Sequence, residues 1–224
     1  MIKRSSLGDQ IYELLKESII KGVLKPGDRI VELEVAKTHG VSQAPVREAL
    51  LRLNEEGFVV SHRHKGTFVS SLSRKDIEEL YSLREVLESF AISRAIERIV
   101  PKDLDTLSNI YDKMLQAGKN NNLDKIRNTD IEFHDQIYKM ADHELMFQMW
   151  EMVRSKADRF WYLTSQFYFS NLTELAKIHE PILNAFLTQN VKEGIKAFQD
   201  HLNYVKKEIF ESDILDMENE SVNG

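Results

Sequence analysis

The chain has 224 residues, 42% hydrophobic and 29% charged, with a net charge of −6 and no cysteine. That composition supports a globular core, and the lack of cysteine excludes a disulfide framework, a thiol nucleophile and any thiolate metal site. No apolar run reaches the length of a membrane span and no signal-peptide apolar core opens the chain, so a soluble cytoplasmic protein is expected.

The charge is unevenly spread. Residues 1–72 hold 11 Lys/Arg against 9 Asp/Glu, residues 73–224 hold 19 against 27, and six of the nine glycines fall in the first segment. An acidic protein as a whole, it has a front segment able to meet DNA locally.

In chain order, residues 9–22 place Ile11, Leu14, Leu15, Ile19 and Ile20 at helical spacing, closed by Gly22. Pro26-Gly27 reads as a turn. A short helix follows, with Leu33, Val35 and Ala36 as its apolar residues and Gly40 as a left-handed stop. Ser42 is an N-cap, and Pro45 falls in the first helical turn, where its missing N–H costs no intrahelical bond. Val46, Leu50 and Leu53 make the inward stripe of that helix, leaving Gln43, Ala44 and Arg47 outside it at the N-terminal end. Gly57 ends the helix. Residues 58–70 then read as two short strands about a turn at Lys65-Gly66, with His62, Arg63, His64 and Lys65 around it. Helix, short helix, turn, capped helix and basic hairpin is the order of a winged helix-turn-helix, whose second helix enters the major groove. A small α+β domain with a solvated basic turn has the same pattern.

From Ser73 onward the periodicity is helical throughout. Helices are expected over residues 74–99, then 101–118 with Gly118 as the stop, 121–142, 144–167, 172–190 as one element, and 191–210; residues 213–224 read as an acidic, frayed tail. Short connections point to an antiparallel bundle. The fold class expected is therefore mainly α: a winged helix-turn-helix over residues 1–72 and an all-α antiparallel helical bundle over 73–212.

Polar residues on the inward stripes of this bundle carry the chemistry. Asp130 lies on the stripe of Ile126, Phe133 and Ile137, with His134 one turn on. His179 shares the stripe of Leu175, Ile182 and Leu183, and His201 that of Phe198 and Val205. A single inward imidazole is more often a satisfied core residue than a ligand. Three of them with one aspartate would all be satisfied by a shared metal ion. His143 reads as a surface residue. On the first helix of the bundle Arg84 and Glu88 fall inside the arc of Ile77, Leu80, Tyr81, Leu87 and Ala91, either as an i,i+4 ion pair or with the guanidinium facing a ligand carboxylate. Arg154 is a second candidate of that kind, and Trp150, Phe160, Trp161 and Tyr162 read as core or dimer interface.

Two resemblances sharpen this. The ordered cluster KPG, GVS, PVREAL-x-RL-x-x-EG and G-x-FV over roughly residues 7–70 resembles the DNA-binding domain of GntR-type bacterial transcription regulators. It implies Ser42, Gln43, Arg47, Lys65 and Gly66 as DNA contacts. Leu33 and Gln43 stand where relatives commonly carry arginine, so the operator sequence does not transfer; a glutamine pairs best with adenine. The pieces LREVLES, D-x-EFH, IHEPIL and DHL, between about residues 73 and 212, resemble the FCD effector domain of the FadR subgroup. That resemblance implies Asp130, His134, His179 and His201 as ligands of one divalent ion, with Pro181 a departure able to shift His179. A set of three imidazoles and one carboxylate suits zinc, nickel, cobalt or manganese. It also implies a small organic acid or sugar acid effector, beside which Arg84 and Arg154 are the candidate anchors; the mechanism expected is a homodimer on a palindromic operator in double-stranded DNA. Two further readings stay open: a metal-dependent hydrolase with an accessory DNA-binding domain, and a regulator whose metal is purely structural.

Overall fold

A computed structural model describes residues 6–168 and 171–210 apart from residue 72, with only the backbone at residues 159, 161–168 and 209. The expected acidic tail, and the side chains of Trp161 and Tyr162, lie outside the described residues. The chain divides into two compact units, one ending at Ser73 and the other beginning at Arg74.

In the first unit α1 (Leu7–Ile20) is opened by a capping box: the Ser6 hydroxyl accepts from the Asp9 N–H, and the Asp9 carboxylate accepts from the Ser6 N–H. The Ser6 N–H and the Ser6 hydroxyl, both donating to Asp9 Oδ2, and the nearby Arg52 hold the Asp9 carboxyl below the usual range. The face of α1 carrying Ile11, Tyr12, Leu15, Ile19 and Ile20 is buried, whereas Leu14 is 40% exposed and lies off it. After α2 (Glu32–His39), Gly40 takes the left-handed conformation at φ 65° that reverses the chain, and α3 (Gln43–Glu55) follows from the N-cap Ser42. Val46, Ala49, Leu50 and Leu53 form the buried stripe of α3 and pack it on α1. Of the apolar residues of α2, Ala36 is buried and Leu33 is 47% exposed.

The hairpin is β2 (Val59–His62) and β3 (Gly66–Val69), paired antiparallel with Val59 opposite Val69. The sheet has a third strand that the sequence pattern does not show. β1 (Arg29–Ile30) lies on the other side of β3, giving the order β1-β3-β2 and burying Ile30. Two residues are too few to show a period of two, so only the Pro26-Gly27 turn before it was legible.

The second unit is helical throughout its described residues: α4 (Arg74–Arg98), α5 (Pro101–Lys119), α6 (Leu123–Met140), α7 (Glu144–Tyr168), α8 (Leu172–Lys177), α9 (Glu180–Leu187) and α10 (Val191–Phe210). α4 packs against α6, α7 and α10, and α5 against α6, α8 and α9. Two expectations change. Gly118 does not stop α5; the helix runs on to Lys119, and the turn is made by Asn121 at φ 52°. Gly118 is instead where α8 comes closest, since an added Cβ would meet the Leu172 carbonyl oxygen at 2.8 Å. The single helix expected over residues 172–190 is two, broken at Ile178–His179 just before Pro181. A proline there is accommodated as the second residue of a new helix. His179 is consequently the N-cap of α9 and not a mid-helix residue.

Candidate metal centre and nucleic-acid interface

Three elements bring imidazoles to one point: His134 from α6, His179 from the α8–α9 break and His201 from α10, all buried. One nitrogen from each lies within 4.8 Å of the others. Two donors on one ion at about 2.1 Å each stand roughly 3–4 Å apart, so sub-ångström adjustments bring the three onto a common centre.

The hydrogen bonding of these rings says what they lack. His134 Nδ1 is 2.7 Å from Glu88 Oε2, while its Nε2 is buried with no partner. Both nitrogens of His179 and Nδ1 of His201 are also buried without partners. A buried imidazole nitrogen left unpaired costs on the order of 1–3 kcal/mol, and a cation that takes one nitrogen from each ring relieves three of these four at once. Asp130 Oδ1 stands 2.9 Å from His179 Nε2, yet the pair is not aligned as a hydrogen bond. This is the arrangement of two ligand atoms side by side rather than of donor facing acceptor. Asp130 stands at the edge of the cluster, beside His179, with its side chain 16% exposed. The residues fit a divalent ion held by nitrogen and oxygen.

Behind His134 lies a relay that reasoning from sequence caught only in part. Arg84 Nε donates to Glu88 Oε1 at 2.7 Å, and Glu88 Oε2 takes the His134 contact, all three side chains buried. Burial pushes the Glu88 carboxyl up, but the Arg84 and His134 charges outweigh it and hold it below the usual range. Ionised Glu88 therefore accepts from His134 Nδ1–H, which leaves Nε2 as the ligating atom. Burial pushes His134 down and Glu88 more than reverses this. His201 has no such carboxylate; burial and the neighbouring His179 hold it well below the ordinary value, so it stays neutral. Burial raises Asp130, and His179, His134 and Arg84 bring it below the ordinary value.

Beside the centre is a cavity lined by Arg84, Asp130, His134, Trp150, Arg154 and Asp158, with about 20 Å³ of free space, room for about one water. Both arginines expected at an effector are there, and both already have partners. Arg154 pairs with Asp135, which also accepts from Trp150 Nε1 at 2.7 Å. Asp158 is held by Arg127 through two bonds of 2.6 Å, both side chains buried. Asp135, Arg127 and Asp158 were missed because their partners lie 15 to 31 residues away. Trp150 and Phe160 are buried, as core residues should be. His143 is half-buried rather than on the surface, its Nδ1 accepting from the Met146 N–H at the start of α7. Glu132 and Glu180, next in chain to the ligand helices' buried faces, are exposed.

In the first unit the expected DNA contacts share one end of α3 and the hairpin tip. Ser42 is exposed and makes no side-chain cap bond. Arg47 is 64% exposed; its Nε donates to Glu32 Oε2 at 2.7 Å and its Nη2 to Gln43 Oε1 at 3.1 Å. Lys65 is exposed at the hairpin tip, between His64 at φ 65° and Gly66 at φ 107°. Arg29 lies over Gly66: a Cβ there would be 3.1 Å from its Nε, so side-chain bulk and the positive φ both favour glycine. Arg29 and Glu32 were not anticipated.

Comparison with known proteins agrees with this architecture. The chain is 30% identical over 152 residues to the HTH-type transcriptional regulator McbR of Escherichia coli, covering 68% of this chain and 69% of that one. It is 25% identical over 212 residues to the gluconate operon transcriptional repressor of Bacillus subtilis, covering 93% and 87%. The solved structure of E. coli McbR superposes with a TM-score of 0.78 at 23% identity, covering 92% of this chain and 98% of that one, a likeness of fold. A metal-free FCD domain superposes at a TM-score of 0.54 and 16% identity, covering 63% and 96%. No helix among the described residues is long and apolar enough to cross a membrane. The model of the gntR family of bacterial regulatory proteins matches residues 7–69 and that of the FCD domain residues 79–204, more than half the chain, and the chain belongs to the GntR family, with an FCD domain behind its helix-turn-helix.

Proposed function

We propose that this chain is a transcription regulator whose operator binding responds to a small carboxylate docked at a divalent metal in the helical unit. The observation that carries the reading is the cluster of buried, unpartnered imidazole nitrogens of His134, His179 and His201 opening beside Asp130 onto a cavity walled by Arg84 and Arg154. His134, His179, His201 and Asp130 hold the ion. When bound it supplies a Lewis-acid docking point with room for an exogenous oxygen ligand. Glu88 orients His134, and Arg84 and Arg154 flank the ligand. At the other unit Ser42, Gln43 and Arg47 face the major groove, and Lys65 and Gly66 form the wing against the backbone. Domains over residues 1–72 and 73–212 divide these two tasks, and a homodimer presents two copies to a palindrome. A relative named for the gluconate operon supports a sugar acid or related organic acid as the signal.

The test is a thermal-shift screen of small carboxylates on metal-loaded and metal-stripped protein, followed by a DNA-binding titration with each hit. A carboxylate that raises the melting temperature of the loaded protein alone, and changes its DNA affinity, is the expected result. If no carboxylate shifts either quantity while the metal is bound, the ion is structural and the sensing role fails.

A further inference from the structure

The short strand β1 carries a cation to the hairpin. It pairs with β3 so that Arg29 lies opposite Phe68 and Ile30 opposite Thr67. Ile30 is buried, and Arg29, one residue earlier in the strand, is exposed on the opposite face. Its guanidinium crosses the base of the hairpin tip: a Cβ built on Gly66 would meet Arg29 Nε at 3.1 Å and Nη2 at 3.3 Å. Four other cations of this unit are neutralised locally, Lys16 by Glu56, Lys21 by Glu17, Arg47 by Glu32 and Arg52 by Asp9. Arg29 is not, although two carboxylates stand close to it in the chain. Asp28 Oδ2 accepts from the Lys25 N–H at 2.8 Å and closes the turn before β1, and Glu32 is taken by Arg47. Residues 58–73, which include the whole hairpin, contain no Asp or Glu. Among the described residues Arg29 therefore has no carboxylate partner, and neither do Arg63 and Lys65 at the tip.

We propose that Arg29 is a further DNA-contacting residue, holding a backbone phosphate beside the one met by Lys65 and carrying no sequence information. This rests on the wing contacts proposed above and adds to them a residue outside the hairpin. Like charges placed together without a counterion in the protein repel one another, and a phosphate backbone supplies the missing anions. The planar fork of a guanidinium suits a phosphate through two parallel bonds, which a lone ammonium cannot make. Gly66 has a second purpose on this reading. Besides taking φ 107°, it leaves open the path along which the Arg29 side chain reaches the tip, and any side chain there would push the guanidinium off it. The neighbouring carboxylates serve the same end by being engaged elsewhere, because a free Asp28 or Glu32 would compete with DNA for Arg29.

The test is a fluorescence-anisotropy titration of the full chain from about 50 to 200 mM salt against two duplexes of about 30 base pairs. One has an arbitrary sequence and the other is selected by the natural chain from a random pool. Arg29→Gln keeps the reach of the side chain and loses its charge. It should lower the slope of log affinity against log salt by about 0.9 for each bound chain. Affinity should fall by the same factor on both duplexes, about tenfold. Arg29→Lys should restore the slope, because the charge returns. Arg52→Gln, which removes a cation already paired with Asp9, should leave the slope unchanged. An unchanged slope in Arg29→Gln overturns the proposal, as does a loss confined to the selected duplex, which would mean base reading. It is also overturned if Arg52→Gln flattens the slope equally, since net charge is then the cause, or if Arg29→Lys fails to restore it, since the wing's shape is then the cause. Should Arg29→Gln not fold, Arg29→Ala is read in its place. Lys65→Gln keeps the two readings apart: if it lowers the slope and Arg29→Gln does not, only the assignment of Arg29 falls, whereas if neither does, the wing contact itself fails.

Discussion

His134 shows how one residue's chemistry is set by its neighbours. Glu88 holds its Nδ1, so its Nε2 is turned toward the other imidazoles. Glu88→Gln keeps the shape of that support but not its charge, and metal affinity should fall about 10- to 100-fold. His179→Ala should instead reduce bound metal from about one ion per chain to well below it, by elemental analysis of the purified protein. The same residues give a pH dependence. His134 is raised above its ordinary value, so its protonated form stabilises the metal-free fold below about pH 6.5 and that contribution is lost as pH rises through the folded value. His201 is depressed, so its contribution is present above about pH 6.5 and is lost as pH falls. Metal binding needs both rings neutral, so affinity should increase from pH 6 to pH 8 in a chelator competition corrected for the chelator's own protons. A flat profile would contradict the imidazole ligation. The three imidazoles that come together, and Asp130 beside them, were legible in the sequence, because each lies on an apolar stripe where a polar residue is conspicuous. Their second partners were not: the Glu88–His134 contact spans 46 positions, and nothing local marks it.

At the level of elements the sequence was read well where apolar periodicity was long and poorly where the chain was short or bent. α4, α6 and α10 came out within a few residues. β1, two residues long, left no pattern, and the α8–α9 break was hidden because its apolar residues keep one phase across it. Glycine misled as well. Gly118 reads as a stop signal in the sequence, but in the structure it lets α5 approach the backbone of α8. Gly118→Ala gains up to about 1 kcal/mol of helix propensity. Against that, a Cβ 2.8 Å from the Leu172 carbonyl and 2.9 Å from Thr173 Cα must push backbone aside, a strain of about 1–3 kcal/mol. The second effect is the larger, so the variant should unfold at lower urea concentration with an unchanged m-value. An equal or higher midpoint would show that α8 yields freely. Since α8 leads directly into His179, the same variant is expected to weaken metal binding too.

For the whole molecule, the surplus of acidic residues falls behind the helix-turn-helix, and DNA affinity must come from a few cations at α3 and the hairpin. The ion pair between Arg47 and Glu32 divides those cations into two kinds. On the proposed contacts, Lys65 would meet a phosphate by displacing counterions from DNA, and each such contact steepens the dependence of affinity on salt. Arg47 arrives with a counterion built into the protein. Moving it from Glu32 to a phosphate or base exchanges one anion for another, and the cation leaving the DNA is largely matched by one drawn to the released Glu32. In ion-exchange terms Arg47 is preloaded, and its contact is nearly silent to salt. Lys65→Ala should therefore lower the slope of log affinity against log salt by about 1, whereas Arg47→Ala should weaken binding with little change in slope. Glu32→Gln, by unloading Arg47, should make the slope steeper and favour any DNA over the operator. The acidic partner of a DNA-reading arginine would then act as a brake on indiscriminate binding, applied most firmly where salt is low.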